Sequence, residues 1–357
     1  MNEEENSENT VWSIQSFWND LLESTKRYPA KSRDYISASD IGKDFWGRYQ
    51  KMTGTETTNP FSDRTLRIFA AGDEFHHLIK NVFQALGIFI NSQDDEDEDG
   101  RNQWSIIPAT LKTLKVLGKY DALVGGKVNI EQTKETCERM QLSDFIKIRT
   151  IRMAEFLAEK YPDGLPELLY EVKSINSMAF WNKKDYLSNA YPHHILQCYA
   201  YLKANNKPEG RLLYISKDDL MMAEIPVYLN DPKLEKIFQE DVAKMTYYLL
   251  NQIEPPKPKD IIYNEKKKLR FQVDKKKQVI TGCYDYNWEV SRSQYFKKLT
   301  GVETEKQWKS NCQVELSEKN KGLKDSYKTR RGLDVDKKVK KDKKEQLKIE
   351  DKEETNE

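Results

Sequence analysis

"LLYEVKS", residues 168–174, is an apolar run interrupted by a glutamate and a lysine two positions apart. Side chains alternate along a strand, so Glu171 and Lys173 share one face while Tyr170 and Val172 take the other. The run reads as an interior strand, where burying two charges is costly unless they are paired or hold a metal. Taken alone, E-x-K also fits a half-exposed strand carrying a solvated ion pair, which is common and weak. The surrounding sequence decides between the two.

Before this run, "VWSIQSFWNDLLES" (11–24) spaces Trp12, Phe17, Leu21 and Leu22 for a helix packed on the main body. "YISASDIGKDFWGRYQKMTG" (35–54) offers Ser37 or Ser39 as a cap for a short amphipathic segment. A longer helix is expected from about Arg64 to Gly87, whose glycine closes it. The pattern then turns to strands: "GIFIN" (87–91), "QWSIIPA" (103–109) and "KVLGKYDALVGG" (115–126), followed by a polar helical insertion at 130–162. After "LLYEVKS" come a helix at 191–206, strands at 210–217 and 221–229, and a helix at 232–253 that stops at "EPPKPKD". This order predicts an α/β fold, a central mixed sheet flanked by helices.

The chain has 357 residues, enough for one large core with a small companion. Lys+Arg number 59 against 58 Asp+Glu, so net charge neither demands nor excludes nucleic acid. The runs "DDEDED" (94–99) and "KKVKKDKK" (337–344) read as solvated loops or tails. Cys137, Cys198, Cys283 and Cys312 form no C-x-x-C pair, which argues against a zinc knuckle and a secreted disulfide framework. No apolar stretch approaches the roughly 20 residues of a membrane span. A cytoplasmic protein with no membrane partner is expected. The expected organisation is a leader and helix at 1–34, a core at 35–255, a small Tyr- and Trp-rich segment at 256–313, and a charged tail from 314, disordered or a solvated helix.

Three further patterns accompany E-x-K. Asp121 in "GKYDALV" ends a β run, and it meets Glu171 if the two strands are neighbours, as consecutive strands usually are. Two carboxylates brought together repel unless a divalent cation sits between them. In "GDEFHHLI" (72–79), His76 follows Gly72 by one helical turn, the glycine leaving room for a neighbouring backbone. In "HHILQCYAY" (193–201), His194, Gln197 and Tyr201 fall on one helical face, which suits either a polar ligand or core packing.

G-x-x-x-H, G-x-x-D, E-x-K and Q-x-x-x-Y, in this order over residues 35–230, resemble the PD-(D/E)XK nucleases of the RecB type. The likeness is to phage-encoded exonucleases and CRISPR-associated adaptation nucleases. The resemblance implies a restriction-endonuclease-like core and a Mg²⁺- or Mn²⁺-dependent deoxyribonuclease, most simply an exonuclease of recombination, repair or phage DNA metabolism. Its partner would be DNA, single-stranded or with free ends, beside recombination or replication proteins, in a host cytoplasm if phage-encoded. It also implies His76, Asp121, Glu171 and the Val172 carbonyl as metal ligands, Lys173 on the water and phosphate, Gln197 and Tyr201 steadying the DNA strand or that lysine, and His194 and Ser174 toward DNA. Many such relatives hold an iron–sulfur cluster on four thiolates. Here Asp44 stands where the first is expected, so no cluster is expected. The alternative is a catalytically silent nucleic-acid-binding or assembly protein that keeps the nuclease fold.

Overall fold

Twelve strands and a set of helices make up this computed structural model, which describes residues 13–24, 32–93, 105–107, 113–181, 190–263, 273–274, 277–278 and 284–330. The chain divides into two compact units, residues 1–56 with 60–256, and residues 57–59 with 257–357. In chain order the first unit runs α1 (Ile14–Ser24), β1 (Tyr35–Ser37), α2 (Phe45–Met52), α3 (Asp63–Ala85), β2 (Phe89–Asn91), β3 (Ser105–Ile107), β4 (Lys115–Gly118) and β5 (Ala122–Gly126). It continues with α4 (Ile130–Arg139), α5 (Asp144–Lys160), β6 (Leu165–Ile175), α6 (Ser177–Trp181), α7 (Pro192–Asn205), β7 (Glu209–Ser216), β8 (Met222–Tyr228) and α8 (Pro232–Leu250).

The expected α/β architecture is present: a five-stranded mixed sheet in the order β2-β5-β6-β7-β8, flanked by helices. β6, which contains "LLYEVKS", is central. It pairs antiparallel with β5 and parallel with β7, the parallel step being bridged by α6 and α7. Alternation sorts its side chains into two layers. Tyr170 and Val172 pack with Ile79 and Phe83 of α3 and with Ala122 and Val124 of β5. Leu169, on the opposite face, joins Ile36, Ile41, Leu196, Cys198 and Tyr201. Each fully buried Leu, Ile or Phe in these layers contributes about 1.5–3 kcal/mol.

"KVLGKYDALVGG", expected as one strand, is two. β4 ends at Gly118 and pairs with β1 and β3 in a separate three-stranded sheet, while β5 starts at Ala122 in the central one. The break is pinned by Tyr120, whose backbone N–H donates to Gln93 Oε1 at 3.1 Å and whose hydroxyl donates to Asn91 Oδ1 at 2.6 Å. The cap expected at Ser37 or Ser39 is instead Asp44, which accepts from the N–H of Gly47 at 2.9 Å and starts α2. Ser37 belongs to β1, and Ser39 to a 3₁₀ turn. α3 is capped by Ser62, and its end at Gly87 has φ +68, where a Cβ would fall 2.5 Å from Asn129 O.

The insertion at 130–162 is a pair of helices, α4 and α5. Its stem is a cross-strand pair, Gly126 opposite Leu165. Arg139 in α4 donates to Asn81 in α3 at 2.9 Å. α1 buries Leu22 alone, leaving Ile14, Phe17, Trp18 and Leu21 exposed, so the expected packing is made by one side of that helix.

In the second unit, Ile261–Tyr263 pairs antiparallel with Tyr284–Tyr286. Trp308 is 2 % exposed there, its indole N–H donating to Asp260 at 2.6 Å. Its helix, Glu305–Arg330, continues past residue 314, so the start of the charged tail is helical. The basic run at 337–344 and the acidic run at 94–99 lie outside the described residues.

Candidate functional site

Ala122 is opposite Tyr170, which puts Asp121 beside Glu171 just beyond the last paired residue of β5. From there on β6 has no strand on that edge, and the Asp121 side chain takes its place: Oδ2 accepts the Val172 N–H at 2.6 Å. The N–H and C=O of one strand residue point to the same edge, so the Val172 carbonyl is directed to the Asp121 side as well. Asp121 Oδ1 lies 3.3 Å from His76 Nδ1, reaching across from α3. Gly72 does sit close to β6, but what it faces is a side chain: a Cβ there would be 3.7 Å from Ser174 Oγ, an ordinary contact.

Glu171 is 1 % exposed, and its Oε1 is ion-paired with Lys173 Nζ. Lys173 keeps 23 % of its side chain exposed, so the pair runs from the core to the surface. Burial works to lower the Lys173 pKa, but the Glu171 and Asp121 carboxylates outweigh it and the net shift is upward. This ammonium is held charged.

The Q-x-x-x-Y pair is inside the protein. Gln197 Nε2 donates to Tyr201 Oη at 3.0 Å, and the two residues are 7 % and 2 % exposed. Tyr201 also lies against Gly118, where a Cβ would fall 2.8 Å from its ring. Both residues are buried in the layer that includes Leu169 of β6 and Cys198 of α7. His194 Nδ1 is 3.0 Å from Tyr214 Oη, which also accepts the N–H of Tyr191 and so ties the start of α7 to β7. Cys198, between these residues, is fully buried. Burial first, then the nearby Glu171 charge, push its thiol pKa well up, which keeps it protonated.

Two residues of this region escaped the sequence reading. Tyr120 orients the turn carrying Asp121, and only its aromatic character beside an Asp marked it. Lys43 follows the buried Ile41 and lies near enough to Lys173 for the two charges to interact. Its "GK" looked like part of a helix start.

The structure therefore brings together His76 with Asp121, Asp121 with Val172, and Glu171 with Lys173. Among the described residues, no three His, Cys, Asp or Glu side chains are grouped to hold a metal. Cys137, Cys198 and Cys312 are buried free thiols, and Cys283 lies outside the described residues. No described helix is long and apolar enough to cross a membrane.

The chain matches no family model and no curated protein. A solved structure described as "Crystal structure of SSO0001" is similar at 15 % identity and a TM-score of 0.37, covering 67 % of this chain and 87 % of that one. A likeness that weak carries no argument, and the function has to be read from the residues themselves.

Proposed function

We propose that this protein is a divalent-metal-dependent deoxyribonuclease that hydrolyses phosphodiester bonds, with Asp121, Glu171 and Lys173 as its working residues. One observation carries the reading: Asp121, next to the Ala122–Tyr170 pair, closes the open edge of β6 beside the backbone of Glu171, and Lys173 is ion-paired with that glutamate. Asp121, Glu171, the Val172 carbonyl and His76 are mostly oxygen donors of the type that suits Mg²⁺ or Mn²⁺, and they would have to draw together to hold one, since no three of their side chains are grouped as they stand. A bound cation supplies Lewis-acid polarisation of the phosphate and a more acidic water.

The chain's own groups have separate tasks. Glu171 presents a buried carboxylate that cannot relax into solvent. Lys173, the partly exposed end of the pair, donates to phosphate oxygens as charge builds on them. A cation held at Glu171 would compete with Lys173 for that carboxylate and so would leave the ammonium available to substrate. Gln197, Tyr201 and Cys198 hold the floor under both. The partial exposure of Lys173 and His76 leaves both within reach of a DNA strand, and the simplest activity of this type is that of an exonuclease on single-stranded DNA or free ends.

A second reading, a silent DNA-binding or assembly protein, is favoured by one fact: each acid already has an internal partner. End-labelled single- and double-stranded DNA, incubated with Mg²⁺, Mn²⁺ or EDTA, separates the two. The nuclease reading expects metal-dependent cleavage that Glu171→Ala and Asp121→Ala each reduce at least a hundredfold, about 3 kcal/mol of barrier. Wild-type protein that binds DNA without cutting it supports the silent reading, and full activity in either variant removes these residues from the chemistry.

A further inference from the structure

The layer covering the Glu171 and Lys173 face of β6 contains a second lysine that the motifs do not include. Ile41, fully buried, packs in the same cluster as Leu169, Leu196 and Cys198. Gly42 follows with φ +78, so close to α7 that a Cβ would lie 2.8 Å from Leu196 Cδ1 and 3.3 Å from His193 Cα. Its N–H donates to Asp241 Oδ2 at 3.0 Å. The backbone of this loop is thus fixed on both sides, and Lys43 leaves it from a defined point beside the candidate site.

Lys43 is only loosely held where it stands. Its nearest acid is Asp40, at a loose 3.6 Å, and Asp40 is already held by Lys51 at 2.8 Å. Arg48, the other cation of the segment, is committed to Asp241 at 2.8 Å. Two ammonium groups near one carboxylate leave one surplus positive charge, and 38 % of the Lys43 side chain is exposed to meet a ligand. Burial above all lowers the Lys43 pKa, with Asp40 opposing it and the Lys51 and Lys173 charges adding to it. An anion placed between Lys43 and Lys173 would meet both ammonium groups.

We infer that Lys43 is a second phosphate-binding residue of the candidate site, holding a phosphodiester next to the one at Lys173. The inference rests on the nuclease reading for its ligand class, and it gives a role to a partly exposed lysine beside an acid that Lys51 already holds. Two lysines from separate elements grip two points of the backbone, which fixes the direction of the strand as well as its position.

The test is DNA binding in EDTA, so that cleavage plays no part. Fluorescence anisotropy of a labelled single-stranded oligodeoxynucleotide is followed against salt for wild type, Lys43→Ala, Lys43→Arg and Lys51→Ala. Lys43→Ala is expected to bind several-fold more weakly at low salt, with a salt slope shallower by about 0.7, one phosphate contact on a single strand. Lys43→Arg should restore both, and the melting temperature of Lys43→Ala should equal that of wild type. An unchanged affinity and slope in Lys43→Ala overturns the proposal. So does a loss of melting temperature matching that of Lys51→Ala, because it marks Lys43 as a structural partner of Asp40. Failure of the nuclease reading looks different: wild type that neither binds nor cuts DNA sinks both, whereas wild type that cuts DNA beside an unaffected Lys43→Ala sinks this inference alone.

Discussion

Replacing Lys173 with methionine keeps the length of its aliphatic stem and deletes the ammonium. Glu171 is 1 % exposed, so its carboxylate is left in the core without its ion-pair partner. Breaking a fully buried pair in this way costs about 3–5 kcal/mol. Lys173 is 23 % exposed, and water can partly replace it, which places the expected loss at the low end, about 3 kcal/mol. Glu171→Gln in the same chain removes the stranded charge, so the double variant should recover most of that loss. The assay is urea unfolding of wild type, both single variants and the double at neutral pH in EDTA, assembled as a double-mutant cycle. Adding Mn²⁺ should stabilise Lys173→Met more than wild type, because a cation then substitutes for the missing ammonium beside Glu171. A loss below about 1 kcal/mol in Lys173→Met would show the pair to be an ordinary solvated one, and the argument from burial would fail.

Two other outcomes follow from the same unit. Glu235 accepts from Lys203 at 2.8 Å and from the Tyr199 hydroxyl. Although burial acts to raise its pKa, these donors and the Gln239 amide hold it below the usual value. Its folded pKa is thus below its unfolded one, so its contribution is present above the unfolded value of about 4.3 and is lost as pH falls through the folded value. In urea melts Glu235→Gln should be less stable at neutral pH and converge with wild type in acid. Gly125→Ala should cost about 1–3 kcal/mol in the same melts, because φ is +123 and the added Cβ falls 2.5 Å from Pro166 O. A neutral effect would mean that the β5 backbone relaxes there without resistance.

The elements legible in the sequence were those with long, regular patterns. α3, α7, α8 and strands β6 to β8 each carry enough periodic residues to identify themselves, and the neighbour rule then placed Asp121 beside Glu171. The division of β4 from β5 was not legible, because apolar alternation runs through Lys119–Asp121 and only pairing with distant partners assigns each half to its sheet. Asp44 was passed over as a cap since Ser37 and Ser39 also precede the helix and have the right chemistry. Helical spacing put Gln197 and Tyr201 on one face correctly but gave no sign of which way that face points. α7 is apolar on most of its circumference, and its buried residues run from Leu196 to Leu202 without a break. Lys43 could not be singled out among 59 basic residues, because its surplus depends on Lys51 reaching Asp40 first.

The stem of the α4–α5 insertion has a bearing on how this chain can be altered. Gly126 and Leu165 face each other across two paired strands, so to the sheet the 38 residues between them are simply a hairpin connection of unusual length. A tight turn could join β5 to β6 without changing a single ladder partner, and a longer or different module could be carried on the same stem. New chain termini could be opened within it for the same reason. What resists such surgery is α3, which would lose the Arg139 contact to Asn81 along with the cover α4 provides. The insertion is a port in the architecture: exchangeable as far as pairing is concerned, provided that whatever replaces it shelters the helix that carries His76.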